Sequence, residues 1–169
     1  METTTAKKTN SKSVLVKGIN TKKAKEISEK LNVLLSDYSI FYQNLRGYHW
    51  NIKGENFFEL HLKFEELYSD VQTKIDEIAE RILALGHSPE HNFSTYKKNS
   101  VIAESTTVSN GKKAMVDIIN SMNLLISSQR EINKICNECH DEGTACMMSD
   151  YIRQQEKMLW MFNAFLANN

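Results

Sequence analysis

Four residues of this chain, His49, His61, Asp76 and Glu80, combine the imidazole and carboxylate donors that suit divalent iron or zinc. Asp76 and Glu80 lie one helical turn apart, which sets both carboxylates on one side of a helix. Whether the four can meet depends on the elements that carry them.

A single proline and six glycines in 169 residues leave few breaks, so the chain reads as all-α. From about Thr21, Ile27, Leu31, Leu34, Tyr38, Phe41, Leu45 and Tyr48 recur at helical spacing, and that helix should end near Asn51. A second stripe, Leu60, Phe64, Leu67, Val71, Ile75, Ile78, Ile82 and Leu85, is stopped by Gly86 and Pro89. The Ser-, Thr- and Asn-rich stretch from Gly86 to about Asn110 is long enough to cross a bundle and has room for one short helix near Tyr96. Met115, Ile118, Met122, Leu125, Ile132 and Cys136 then mark a third long helix, and Met148, Ile152, Gln155, Leu159, Phe162 and Leu166 a fourth, with the break at Asp141 to Gly143. Two helical hairpins joined by one long crossover describe a ferritin-like four-helix bundle over residues 21–168, preceded by a loose basic tail, residues 1–20.

His61, Asp76 and Glu80 fall on the same predicted helix. At 1.5 Å per residue, His61 and Asp76 are about 22 Å apart along its axis, far beyond the ~2 Å bonds of a shared metal. With Leu60 taken as zero and about 100° per residue, the apolar stripe stays within roughly 60° while His61, Glu65, Asp76 and Glu80 fall between roughly 100° and 200°. The metal-binding candidates face away from the core. A two-fold dimer packing these flanks antiparallel, with its axis near residue 70, would set His61 of one chain against Asp76 and Glu80 of the other and make two such sites. His49, across the short turn 51–56, joins His61, and Glu65, one turn on, is an auxiliary ligand.

Hydrophobic residues make up 41% and charged residues 25% of the chain, enough for one compact domain with a core of its own. Lys plus Arg equals Asp plus Glu at 21 each, so no overall charge drives the chain toward nucleic acid or an acidic substrate. The start lacks an apolar signal region and no stretch reaches a membrane span, so a cytoplasmic location without membrane partners is expected.

The segments His49-Trp50-Asn51-Ile52-Lys53-Gly54, Phe57, Leu60-His61, Phe64-Glu65, Tyr68 and Asp76-Glu77-Ile78-Ala79-Glu80-Arg81 resemble the signature of the Dps family, the starvation-induced DNA-protecting miniferritins. Leu85-Gly86 with Pro89, and Glu156-Lys157 with Trp160-Met161, extend the resemblance over most of the chain. It implies a hollow twelve-subunit cage that oxidises Fe2+, preferentially with H2O2, and stores the ferric mineral inside. Its ferroxidase ligands fall on His49, His61, Asp76 and Glu80, shared across a two-fold interface. Where this chain has Glu65 the family commonly has Asp, which changes the reach of a second iron ligand. Trp50 and Tyr48 flank His49 and are candidate electron donors, with packing at the interface as the alternative for Trp50.

The resemblance also implies three-fold pores lined by acids near the start of the fourth helix, here Asp141 and Asp150, with Cys146 where an acid is frequent. Cys136-Asn137-Glu138-Cys139-His140 matches the haem-attachment pattern, but Cys136 and Cys139 continue an apolar helical rhythm and no haem is expected. The three cysteines read as reduced thiols, packing residues unless Cys146 joins a metal or redox site. Lys7, Lys8, Lys12 and Lys17, with Lys22 and Lys23, form the only basic cluster; in a multimer DNA binding by counterion release and avidity is one expectation for such tails, and a solvated lysine tail is the alternative. Two other readings stand beside the ferroxidase cage: a DNA-compacting scaffold working through that tail, and a conventional di-iron bundle. The last needs inward Glu-x-x-His pairs, and the sequence has none.

Overall fold

The computed structural model describes residues 18–167 and contains five helices and no strand among them. These are α1 (Thr21–Asn51), α2 (Phe57–Ala84), α3 (Phe93–Asn99), α4 (Gly111–Glu138) and α5 (Glu142–Ala167). No helix is long and apolar enough to cross a membrane. The long helices pair as hairpins, α1 with α2 and α4 with α5, while α1 also packs on α4 and on the short α3. This is the ferritin-like bundle with one crossover.

The side chains that start the helices are those the sequence supplies for the purpose. Asn20 accepts from the Lys22 amide, and Asn110 from that of Lys113, each satisfying a first-turn N–H with no helical partner. Gly86 ends α2 in the left-handed region at φ 82°, where a side chain would be strained. Gly111 answers to a different need. A Cβ there would lie 2.3 Å from Leu60 Cδ1, so a larger residue at this start of α4 would make the Leu60 side chain shift. Lys53 N donates to Ser109 O at 3.0 Å beside it, so the crossover spans the bundle and α4 runs parallel to α2.

Three polar residues of α1 tie that crossover down. Asn32 donates to Ser88 O and accepts from Glu90 N, Asp37 accepts from Ser100 Oγ and Val101 N, and Asn44 donates to Ala103 O and accepts from Ser105 N. A long loop lying on a bundle must pair its own amides and carbonyls, and these side chains supply the partners. Burial raises the pKa of Asp37 against the opposing effect of the Ser100 and Val101 hydrogen bonds.

The apolar stripes of α1 and α4 are buried as their spacing predicts. Two positions depart from expectation. On α2, Lys74 takes the buried place and Ile75 stays half-exposed, because Lys74 Nζ reaches Asp70 at 2.5 Å and Gln154 at 2.7 Å. On α5, Tyr151 is buried where Ile152 was expected. The break between the last helices also sits earlier than predicted, at 139–141, with Glu142 and Gly143 already helical. Midway along the bundle, the Tyr38 hydroxyl lies 2.7 Å from Gln129 Nε2 and 2.6 Å from Gln155 Nε2. The phenol has one proton of its own to donate, and half a turn of either amide gives that proton an acceptor.

Candidate metal centre

The two histidines are brought together by the tight link between α1 and α2. Gly54 at φ 91° and Asn56 at φ 58° turn the chain through the left-handed region, so the last turn of α1 faces the first turns of α2. The imidazoles of His49 and His61 stack at 3.8 Å between centroids, 19° from parallel. Each ring reaches across to the other's backbone: His49 Nδ1 to His61 O at 2.9 Å, and His61 Nδ1 to His49 O at 3.0 Å. A carbonyl only accepts, so both Nδ1 atoms carry the proton and both Nε2 atoms keep a free lone pair. That is the tautomer a metal ligand needs, and backbone carbonyls are a common means of fixing it.

Two further rings hold the pair in place. Phe57 stacks on His61 at 5.2 Å, and Tyr68 stands edge-on to His49 at 5.4 Å with Tyr42 behind it. Tyr68 was named from the sequence only as part of the family signature and given no role at the site, although it follows His61 by two helical turns and so shares its side of α2.

Asp76 and Glu80 are exposed on the outer flank of α2. Because α2 is unbroken, Asp76 stands about 22 Å and Glu80 about 28 Å along the axis from His61, and one subunit does not bring the four together. Among the described residues no group of three or more His, Cys, Asp or Glu side chains is close enough to hold a metal ion. Glu65 is exposed beside Tyr68, whose phenol pKa is raised first by desolvation and then by the Glu65 charge.

The electron-donor candidates divide. Tyr48 points into the core against Phe64, away from the histidine rings. Trp50 is 58% exposed with the Arg46 guanidinium 4.6 Å from its ring centroid.

At the other end of α2, the expected pore acid Asp141 requires correction. Its carboxylate is buried: it accepts from Arg81 at 2.5 Å and from the Thr144 amide and hydroxyl, capping α5. An acid in that bonding is no free ligand for a passing cation. Cys146 and Asp150 are exposed one turn apart on α5, with Sγ 4.0 Å from the carboxylate. Cys136 lies in the core, its thiol pushed up to about 12 by burial and then by Asp141, and Cys139 is the cap beyond α4 rather than a helical position. Lys7, Lys8, Lys12 and Lys17 lie outside the described residues.

Between α2 and α5 a cleft of about 660 Å³ is lined by the acids Asp70, Glu77, Glu80 and Asp150, the cations Lys74 and Arg81, and Tyr151. Glu80 therefore belongs both to the outer flank and to this cleft.

Comparison with known proteins matches residues 28–169 to the ferritin-like domain. A crystal structure of a Dps protein from Vibrio cholerae O1, described as a member of a broad superfamily of ferritin-like diiron-carboxylate proteins, is 48% identical, covers 93% of this chain and 99% of its own, and superposes with a TM-score of 0.89. A Haemophilus influenzae protein is 48% identical over 87% of this chain and 92% of its own length. A DNA protection during starvation protein from Porphyromonas gingivalis is 36% identical over 89% of this chain and 94% of its own.

Proposed function

This chain belongs to the Dps family of ferritin-like proteins, and on that premise we propose that it is a ferroxidase: it oxidises Fe2+ with H2O2 at sites shared between two subunits and retains the ferric product inside a twelve-subunit cage. The observation that carries this reading is the reciprocal hydrogen bonding of His49 and His61, which holds two Nε2 lone pairs ready while Asp76 and Glu80 of the same helix stay out of reach. Asp76 and Glu80 of a second copy, packed antiparallel about an axis near residue 70, complete the set, with Glu65 as an auxiliary oxygen ligand. Imidazole nitrogen mixed with carboxylate oxygen fits Fe2+ and leaves coordination positions for the oxidant.

Each group then has a task. The Nδ1–H bonds hold the imidazole planes, the carboxylates balance the charge that rises as Fe2+ becomes Fe3+, and two irons supply the two electrons that take one H2O2 to water. Cys146 and Asp150 line the route by which iron enters, and the lysines of residues 1–20 hold DNA near the cage, which protects it in the cytoplasm by consuming iron and peroxide together.

Subunit mixing tests the shared site. His61→Ala and Asp76→Ala chains should each be inactive alone. Assembled together they should recover ferric absorbance, since each mixed dimer regains one site with both residues intact. Mixed assemblies no more active than either parent would overturn the intersubunit site.

A further inference from the structure

Tyr151 is 5% exposed, and its hydroxyl donates to Glu77 Oε2 at 2.5 Å. Tyr38 stands edge-on to its ring at 6.2 Å, and Lys74 Nζ lies 5.1 Å from the ring centroid. The cleft beside it is bordered by Glu80, a ligand in the reading above. A buried phenol joined to a carboxylate next to a carboxylate-lined space is not needed for packing, which a phenylalanine would serve. It needs another account.

Hydrogen peroxide takes two electrons to become water, and a single Fe2+ supplies one. We propose that Tyr151 is the second electron donor when iron is scarce, its phenolic proton passing along its hydrogen bond to Glu77. This rests on the ferroxidase reading. The step balances: Fe2+, H2O2, the Tyr151 phenol and the Glu77 carboxylate give Fe3+, the Tyr151 phenoxyl radical, protonated Glu77 and two hydroxide ions. A later Fe2+ reduces the phenoxyl, and Glu77 returns the proton.

The surroundings select Tyr151 over its neighbours. A phenol that loses an electron must also lose its proton, so a donor works where a base is already hydrogen-bonded to it. Tyr38 is bonded to two neutral amides, and the oxidising equivalent therefore stops at Tyr151. The Lys74 ammonium disfavours the oxidised ring, which reserves the reaction for the strong oxidants derived from peroxide and spares the tyrosine from ferric ion. Trp50, 58% exposed, offers no such shielding.

The test uses assembled, iron-free protein carrying ring-deuterated tyrosine, mixed with one Fe2+ per subunit and excess H2O2 and frozen for electron paramagnetic resonance. A phenoxyl signal narrowed by deuteration is expected in the wild type and in Tyr38→Phe, and lost in Tyr151→Phe, where hydroxyl radical caught by a spin trap rises. A signal that survives Tyr151→Phe, or vanishes in Tyr38→Phe, overturns the assignment. Should Tyr151→Phe fail to assemble, a nitroso trap on the wild type followed by tryptic mapping decides. The adduct belongs on residues 135–153, whose single tyrosine is Tyr151, and its appearance elsewhere refutes the proposal. Ferric absorbance in the same mixing separates the two levels: iron oxidised with no tyrosine radical sinks this inference alone, and no oxidation sinks the ferroxidase reading with it.

Discussion

The outer flank of α2 and the middle of the bundle both carry polar side chains, and the fold treats them in opposite ways. On the flank, Asp76, Glu80 and the two histidine Nε2 atoms have no hydrogen-bond partner among the described residues of their own subunit, which leaves them open to the second copy and the cation of the proposed site. In the middle, Tyr38, Gln129 and Gln155 close a neutral hydrogen-bonded group across three helices. A conventional di-iron bundle places its carboxylates in that middle layer. Here an unpaired charge would have nothing to offset its desolvation, so the layer is filled by neutral groups, the two amides meeting at the Tyr38 hydroxyl while Gln129 Oε1 and Gln155 Oε1 stay buried without a hydrogen-bond partner. The difference teaches where to look for metal: at the unsatisfied lone pairs, which lie on the surface to be shared.

The largest effect expected from breaking this contrast is on the flank. The double variant His61→Ala/Asp76→Ala should slow peroxide-driven iron oxidation by about 100-fold or more, since groups merely supporting a ligand already change metal affinity 10- to 100-fold. Stopped-flow ferric absorbance reads it, and a wild-type rate would move the metal to some other part of the molecule.

Closed polar groups should act on stability instead. Asp141→Ala leaves Arg81 without its partner and α5 without its cap, a cost of about 3–5 kcal/mol in urea unfolding of the folded subunit. A loss below about 1 kcal/mol would mean that the Arg81 pair is solvated. Tyr38→Phe removes the oxygen that two buried amides share, and should cost about 1–3 kcal/mol while leaving Fe2+ affinity unchanged in calorimetric titration. A drop in Fe2+ affinity there would contradict the separation of core from site.

The smallest effect is pH-dependent. The folded-state pKa of Asp37 lies above its unfolded value, so the folded chain holds this proton more tightly. Its contribution to stability therefore falls as pH rises from the ordinary aspartate range through the raised value, and stays low above it. Asp37→Asn keeps the Oδ1 acceptor for Ser100 and Val101 and removes the buried charge. It should gain on the order of 1 kcal/mol at neutral pH, a gain that shrinks as pH falls through the raised folded value and levels off below the ordinary aspartate range of about 4. Thermal melts of both proteins across that range check it, and a gap that widened in acid would reverse the sign.

Much of this was legible in the chain. Every residue of the stripes read on α1 and α4 is buried because helical periodicity is local, and Ala24, Leu35, Ile40, Ala114 and Ile126 fill the core beside them. Lys74, Tyr151 and Gln129 escaped that pattern, since each is buried through a partner on another helix that spacing does not reveal. The same holds for Asn32, Asp37 and Asn44, whose partners are backbone groups and the Ser100 hydroxyl of the crossover, 56 to 64 residues away in sequence. Asp141 misled for the converse reason: an acid at a helix start reads as exposed until Arg81 and Thr144 are seen to enclose it.

For the metal centre, sequence alone determined the donor types and their separation, because the rise of an α-helix is constant and about 22 Å between His61 and Asp76 follows from counting residues. It thereby excluded a site within one subunit. Only the tertiary structure decided which atoms of the histidines are free, because the tautomer depends on carbonyls that the α1–α2 turn brings within 3.0 Å of the opposite ring. Spacing is a property of one helix, and the state of a lone pair is a property of what packs against it.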